Sequence, residues 1–325
     1  MKYRPRVSII IPLYDIKERF FKDFLKYDLL SYSDYEIIVV CDKEVQLPKL
    51  NKCNVKLLLT HKNKTGPAEK RDLAIKKATG SICVFIDDDA YPDKDWIRNA
   101  VRWFVASDVI AVGGPGITPP EDNFWQKVGG GIVESYFCSG GVQYRYFPTK
   151  RSFVEDYPAY NLFVRKNTLE KVGGYGCNFY GGEDTFLCLK LIKYGGIIYE
   201  PESRVYHHRR SFPFKHLKQI GNVAVHRGYF FKKYPETSRM LFYLLPTFLT
   251  VGFIGNSILC ILYPSLFLPL GLLLILFFWL LGSYSVLRHK CSFTLSVIAG
   301  FGIIITHVVY GVLFVKGLII NRLAV

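Results

Sequence analysis

The last third of the chain contains three long runs without a charged residue, and these runs limit the possible folds more than any other feature. They are Leu241–Leu262, Leu266–Val286 and Phe293–Val315. Each is about 20 residues or longer, which is enough for an α-helix to cross the hydrocarbon core of a bilayer. A buried hairpin in a large soluble protein is the alternative, but the lengths and the missing charges favour membrane spans. We therefore predict a helical transmembrane anchor of about three helices over residues 241–325.

Basic residues are concentrated just ahead of the apolar runs. Residues 206–325 carry 12 Lys and Arg against one acidic residue, whereas residues 1–205 carry 30 against 26. Eight of the 12 lie within residues 206–239, interleaved with Phe and Tyr. Such a segment suits anionic lipid headgroups, so we predict a basic amphipathic interfacial segment over residues 211–240, with membrane lipids as partners and no nucleic acid. The positive charge also predicts that this segment lies on the cytoplasmic side of the cell membrane.

The cysteines and the N-terminus indicate a cytoplasmic front domain. The eight cysteines are scattered, without a CxxC pair, so neither a zinc site nor a disulfide framework is expected. The sequence MKYRPRVSIIIP turns polar after a few apolar residues, too few for a signal peptide. We expect a multi-pass membrane protein whose front domain is cytoplasmic.

The front half alternates short apolar runs with longer mixed segments. Val7–Pro12, Tyr35–Cys41, Val55–Leu59 and Ile82–Ile86 predict buried strands, and Ala68–Ala78 predicts a helix between two of them. This rhythm predicts an α/β domain with a mainly parallel sheet flanked by helices. After about Val109 the Gly-, Pro- and aromatic-rich sequence predicts hairpins and long loops, followed by a second helix over Glu183–Tyr194.

Three adjacent carboxylates, Asp87, Asp88 and Asp89, directly follow the strand predicted over Ile82–Ile86. Adjacent carboxylates repel one another, so their placement at a strand end is costly unless a positive group binds there. A divalent cation such as Mg²⁺ or Mn²⁺, bound to a diphosphate, is one occupant that suits hard oxygen ligands. A solvated acidic turn is the alternative. The triplet alone leaves these two interpretations about even.

Other strand ends carry residues that suit a nucleotide. Pro12 and Tyr14 follow the first strand, where an aromatic ring could stack on a base, and Asp42 closes the second. Arg71, early in the predicted helix, could pair with phosphate or base. Each is more often an ordinary turn or surface residue when taken singly. Together they predict a ligand site beyond the carboxyl ends of the strands.

Over roughly residues 5–210 the sequence resembles the inverting glycosyltransferases of family 2, which have the nucleotide-sugar-binding GT-A fold. The resemblance lies in ordered segments: VSIIIPLYD, YEIIVVCD, GPAEKRDLAIKKATG, CVFIDDDAYPDKDWI, NLFVRKNTLEKVGGY and GGEDTFLCLKL. It implies a nucleotide-sugar site formed by Pro12, Tyr14, Asp42, Arg71 and Asp88, and a metal site at Asp87 and Asp89. It also implies that Asp184 takes the acidic position that supplies the catalytic base, with Glu183 beside it.

The chain departs from the family pattern at several positions. Asp15 and Asp72 stand where Asn is usual, and Cys41-Asp42-Lys43-Glu44 replaces the common Asp-Asp-Gly-Ser. The Q-x-x-R-W signature of the processive members is absent, which indicates transfer of one sugar per encounter.

Glu183 and Asp184 can also be interpreted from their own position. They follow Gly181-Gly182 and open a predicted helix, whose free N–H groups stabilise carboxylates without any catalytic role. Displacement at an anomeric carbon, however, needs a base for the acceptor hydroxyl, and a carboxylate suits that role. A histidine at the end of the matched region could complete the metal shell or contact the diphosphate, as in other GT-A enzymes. We favour His208 over His207, although a basic stretch beside a membrane explains both.

The sequence therefore predicts a GT-A domain over residues 1–210, the interfacial segment and the anchor. The expected function is inverting, metal-dependent, nonprocessive transfer of a sugar from a nucleotide diphosphate sugar to a lipid-linked glycan or surface polysaccharide. A polyprenyl-phosphate monosaccharide synthase is the close alternative, and an inactive membrane-bound nucleotide-sugar-binding protein is the alternative from another class.

Overall fold

The computed structural model describes residues 4–14, 16–177, 179 and 181–323. They form two compact units. The first consists of the residues up to Pro119 together with Phe147–His208, and the second of Pro120–Tyr146 and Arg209–Leu323.

The strands of the described residues all lie in the first unit. They are β1 Val7–Pro12, β2 Tyr35–Cys41, β3 Asn54–Leu59, β4 Ile82–Phe85, β5 Ala90–Pro92, β6 Val109–Gly113, β7 Gly116–Ile117, β8 Ser152–Val154, β9 Leu162–Arg165, β10 Gly196–Tyr199 and β11 Val205–His207.

The α-helices are distributed over both units. They are α1 Glu18–Phe24, α2 Pro67–Lys77, α3 Trp96–Val101, α4 Phe124–Glu134, α5 Tyr136–Ser139, α6 Lys166–Lys171, α7 Glu183–Leu191, α8 Phe214–Lys233, α9 Pro235–Ser238, α10 Leu241–Leu262, α11 Pro264–Leu287 and α12 Phe293–Ile319. Short 3₁₀ helices span Leu25–Leu29, Arg102–Val105, Gly140–Arg145 and Ala159–Asn161.

The main sheet of the first unit has the strand order β3-β2-β1-β4-β9-β6-β10-β8. β3, β2, β1 and β4 run parallel, and β9 enters antiparallel between β4 and β6. Every residue of β1 and β2 is buried, because neighbouring strands and helices cover both faces of the sheet. This explains the unbroken apolar runs and confirms the predicted α/β fold. A small second sheet pairs β11 with β5 and β7.

The segment after Val109 differs in part from the prediction of hairpins and loops, because it contains the helix α4. Asn123 and Gln126 form a capping box that begins this helix. Val128 and Ile132 then pack with Val286, Leu295, Ala299 and Ile303 in an apolar cluster of the second unit. Such packing stabilises a helix despite its three glycines, whose propensity is low. Residues 120–146 thus belong to the second unit, although the predicted first domain included them.

The second unit contains three helices long and apolar enough to cross a membrane: α10, α11 and α12. The observed ends extend the predicted runs by a few residues at most. α8 packs closely on α12 through glycine, since a Cβ atom at Gly228 or Gly317 would collide with backbone of the opposite helix. The basic residues Lys215, Lys218, Lys232 and Lys233 of α8 are exposed.

Candidate active site

The carboxyl ends of β1, β2 and β4 meet at one edge of the main sheet, and the acidic triplet lies there. Asp87 follows β4 after one residue. The Asp88 carboxylate accepts a hydrogen bond of 2.8 Å from the backbone N–H of Tyr14, which follows β1. The triplet is therefore joined to the neighbouring strand end through its middle member.

Asp87, Asp89 and His207 form a candidate metal site, as their possible ligand atoms all lie within 4.8 Å of one another. His207 Nε2 is 3.0 Å from Asp89 Oδ1. The ring of Tyr160 packs against the imidazole, with the centroids 4.7 Å apart. Nδ1 of His207 is buried and has no hydrogen-bond partner in the part of the chain that the structure describes. Two carboxylates and an imidazole fit a divalent cation such as Mn²⁺, and the carboxylates equally suit Mg²⁺.

The prediction favoured His208 as the metal ligand beside Asp87 and Asp89, but the histidine that the structure places next to these two carboxylates is His207. His207 ends β11, and successive side chains of an extended segment point to opposite faces. Only one of the two histidines can therefore face Asp89. His208 is buried with its Nε2 2.9 Å from Asp23 Oδ2, while its backbone N–H donates to the Asp89 carbonyl.

Arg71 links the candidate metal site to the start of α7. Its guanidinium lies 2.8 Å from Asp87 Oδ1, 3.4 Å from Asp184 Oδ1 and 3.5 Å from Glu183 Oε1. The side chain is only 4% exposed, so these carboxylates are what balance its charge. The predicted nucleotide contact of Arg71 stays a prediction. The geometry adds that the Arg71 guanidinium contacts both the candidate metal site and the first turn of α7.

Glu183 and Asp184 occupy the first turn of α7 in different ways. The preceding Gly181 and Gly182 have φ of 92° and 80°, which other residues rarely adopt. Glu183 is buried and accepts from the N–H of Gly181 at 2.7 Å. Asp184 is 24% exposed and accepts from the N–H of Ala159 at 2.9 Å. Asp184 is therefore the more accessible of the pair.

The protonation of Asp184 suits a general base. Burial raises the pKa of Asp184 to about 7, with a further contribution from Glu183, while Arg71 opposes the shift. A base whose pKa lies near the working pH combines an ionised fraction with sufficient basicity.

The predicted nucleotide residues lie around the ends of β1 and β2. Pro12 is buried, whereas Tyr14 is 64% exposed, so its ring has a free surface for stacking. The Asp42 carboxylate accepts from Thr60 Oγ1 at 2.6 Å and lies 3.0 Å from Lys70 Nζ. Burial alone would raise the pKa of Asp42, but hydrogen bonds from Thr60, Thr65 and Lys70 lower it to about 2. Asp15 lies outside the described residues.

The sequence pattern of the family described as Glycosyl transferase family 2 matches residues 8–169. This range includes the residues of the candidate nucleotide and metal sites, apart from His207. The chain carries a family 2 glycosyltransferase domain.

Curated proteins named as glycosyltransferases resemble the chain at low identity. Glycosyltransferase AglE of Haloferax volcanii is 27% identical over 188 residues, which cover 55% of this chain and 59% of that protein. The dolichyl N-acetyl-alpha-D-glucosaminyl phosphate 3-beta-D-2,3-diacetamido-2,3-dideoxy-beta-D-glucuronosyltransferase of Methanococcus voltae is 25% identical over 244 residues, or 70% of this chain and 74% of that protein. The chain thus spans less than two thirds of the first of these relatives.

A solved structure supports the same fold. A mannosyltransferase from Pyrobaculum calidifontis, in complex with GDP-Man and Mn²⁺, superposes with a TM-score of 0.51 at 18% identity. The superposition covers 95% of this chain and 88% of that one. At this identity the likeness concerns the fold alone.

Lys70 is a residue of the family 2 domain that the sequence prediction missed. Its side chain is buried, and Nζ donates to the carbonyl oxygen of Leu13 at 2.8 Å as well as to Asp42. A signal was present, because Arg71, Ala74 and Ile75 have the spacing of one buried helix face. Lys70 directly precedes Arg71 in this pattern, which indicates that both basic side chains lie beside the buried face of the helix.

Proposed function

We propose that the chain is an inverting, metal-dependent, nonprocessive glycosyltransferase. It moves a sugar from a nucleotide diphosphate sugar to a membrane-associated acceptor, a lipid-linked glycan or a surface polysaccharide. The observation that carries the proposal is Arg71, whose guanidinium joins Asp87 of the candidate metal site to Asp184. The donor side and the acceptor side of a displacement reaction are thereby held a fixed distance apart.

Asp87, Asp89 and His207 would hold the divalent metal, which supplies positive charge against the departing diphosphate. The Tyr14 ring would stack on the base, and Asp42 would accept hydrogen bonds from base or ribose. The backbone N–H of Ala159 donates a hydrogen bond to Asp184 Oδ2 and so orients the carboxylate, which would take the proton of the acceptor hydroxyl. A base on the face opposite the leaving group gives a single displacement with inversion.

The membrane location of the acceptor rests on the second unit. Its two segments carry 14 Lys and Arg against four Asp and Glu, and it contains the three long apolar helices. Anionic headgroups and lipid-linked phosphates match that charge. The Methanococcus relative, whose name gives a dolichyl phosphate sugar, supports the same acceptor class. We place the protein in the cell membrane as a multi-pass protein with a cytoplasmic catalytic domain.

A polyprenyl-phosphate monosaccharide synthase is the second candidate, favoured by the same basic unit. Its acceptor is already ionised and needs less from a base, so the contribution of Asp184 separates the two. The third alternative is an inactive binding protein, which would bind the donor but show neither hydrolysis nor transfer.

The test uses the purified full-length chain in detergent with Mn²⁺ or Mg²⁺ and a panel of labelled UDP- and GDP-sugars. We expect one donor to be hydrolysed slowly when no acceptor is added, and its sugar to be transferred when membrane lipid extract is present. NMR of the product should show that the anomeric configuration is inverted. Binding of every donor without hydrolysis or transfer would contradict the proposed enzyme. A product with retained configuration would contradict the inverting mechanism.

A further inference from the structure

The turn Gly173–Gly176, which precedes α7, is built from residues in unusual conformations. Gly173, Gly174 and Gly176 have φ of 72°, 63° and 58°, where side chains are strained. A Cβ atom at Gly174 would also collide with the carboxylate of Asp72. The turn therefore requires glycine at these positions.

Asp72 of α2 supports the turn through its N–H groups. Its Oδ1 accepts from Tyr175 N–H at 2.7 Å and its Oδ2 from Gly176 N–H at 3.0 Å. Both carboxylate oxygens are thus used. An Asn side chain would offer one acceptor oxygen and would direct an NH₂ group at the second N–H.

Lys190 of α7 supports the same turn through its carbonyl groups. Nζ donates to the carbonyl oxygens of Val172 at 3.3 Å, of Tyr175 at 2.9 Å and of Gly174. An anion on the N–H side and a cation on the carbonyl side hold the turn between two helices. Burial lowers the pKa of Lys190, and Asp72 opposes that shift, so the two charges interact across the turn.

The Tyr175 side chain extends from this turn to the catalytic groups. Its ring is fully buried and meets Phe85 of β4 edge-on, with the centroids 5.3 Å apart. The Arg71 guanidinium lies 5.3 Å from the centroid of the same ring. The Tyr175 hydroxyl has no hydrogen-bond partner among the described residues, so the ring makes the contacts.

We propose that Asp72 and Lys190 are positioning residues: by holding the turn they seat the Tyr175 ring, and the ring fixes Arg71 between Asp87 and Asp184. The inference rests on the proposed function, because it assigns these groups to the same transfer reaction. Neither residue touches donor or acceptor in this scheme. Their effect is on the distance between metal site and base.

The test compares kcat, KM and donor Kd of full-length variants in detergent, using the UDP- or GDP-sugar on which the parent chain is active. A misplacement of about 1 Å costs on the order of 10²-fold in rate, so Asp72→Asn and Lys190→Met should each lower kcat roughly 10- to 100-fold. Donor Kd should change less than about threefold, since Tyr14 and Asp42, which lie at the ends of other strands, stay in place. Because both act through one turn, the double variant should lose little more than the worse single variant.

Three further variants separate positioning from general damage. Asp28→Asn makes the same chemical change in a carboxylate that also accepts two backbone N–H groups, those of Asn51 and Lys52, and should leave kcat at the parent value. Tyr175→Phe keeps the ring and should retain most of kcat, whereas Tyr175→Leu removes the ring and should resemble Asp72→Asn.

Parent-level kcat in Asp72→Asn and Lys190→Met would overturn the inference, as would multiplied losses in their double variant or a donor Kd that weakens in step with kcat. If Tyr175→Leu does not fold, the double-variant comparison decides alone. An inactive parent chain contradicts the proposed function instead, so the two failures are distinguishable.

Discussion

Replacing Asp184 by Asn tests the base assignment with little disturbance of the structure. The Asn amide oxygen can keep the 2.9 Å hydrogen bond from Ala159, while the contact that changes is the 3.4 Å approach to Arg71. Arg71 retains Asp87 at 2.8 Å and Glu183 at 3.5 Å, so its buried charge stays balanced.

The stability and rate effects of this variant should therefore differ widely. Losing one long charged contact costs at most about 1 kcal/mol of the free energy of unfolding, and removing a charge that burial disfavours offsets part of that loss. For a unit of this size that is a fall of at most about 2–4 °C in Tm. Losing a positioned base costs about 10²–10⁴-fold in rate. We expect transfer to fall by that factor, with KM for the donor and the metal dependence nearly unchanged.

The assay is the initial rate of sugar transfer by the full-length chain in detergent, with donor Kd measured separately in the presence of Mn²⁺. Asp156→Asn is the matched control, because Asp156 accepts from Thr185 of the same helix turn at 3.0 Å and should retain the parent rate. An Asp184→Asn chain that transfers sugar at close to the parent rate would refute the base assignment. The polyprenyl-phosphate alternative would then be the better interpretation.

Four further outcomes are expected. Asp89→Ala should abolish turnover and weaken nucleotide diphosphate binding far more with Mn²⁺ than without it, and full activity in excess chelator would exclude a metal at this site. His207→Ala should weaken the apparent Mn²⁺ affinity about 10- to 100-fold, as loss of a metal-shell residue typically does, whereas His208→Gln should chiefly lower Tm; the reverse pattern in a Mn²⁺ titration would restore His208 as the ligand. Because burial raises the pKa of Asp184 to about 7 and the base must be ionised, kcat/KM should fall as the pH drops below about 7, and a profile flat from about pH 5 to about pH 8 would contradict this role. Three spans with residues 206–239 in the cytosol put the C-terminus outside, so a C-terminal reporter found in the cytosol would show that one helix does not cross.

The sequence predicted those parts of the fold that depend on local pattern. β1 and β2 begin and end where predicted, because unbroken apolar runs bounded by turn residues identify strands buried on both faces. The sequence also pointed to Asp87, Asp89 and Asp184 as candidate groups, since they follow a strand or begin a helix. The structure brings Asp87 and Asp184 together at Arg71.

The missed features depend on contacts between distant parts of the chain. α4 contains three consecutive glycines, and its helical state requires packing on residues more than 150 positions away. Whether His207 or His208 faces Asp89 depends on how the three-residue strand β11 pairs with β5 and β7. No pattern within so short a segment sets that parity.

The packing of α12 affects how the chain can be shortened. α12 covers the apolar face of α8 through Phe314 beside Ala224, and that of α4 through Ala299 and Ile303. A chain cut at residue 240 would lose all three apolar helices but keep α4 and α8 with these faces exposed to water. Removing the membrane spans alone should therefore yield an aggregating fragment rather than a soluble enzyme. The last helix is in this sense a structural part of the unit, and full-length protein in detergent or lipid is the material on which kinetics can be interpreted.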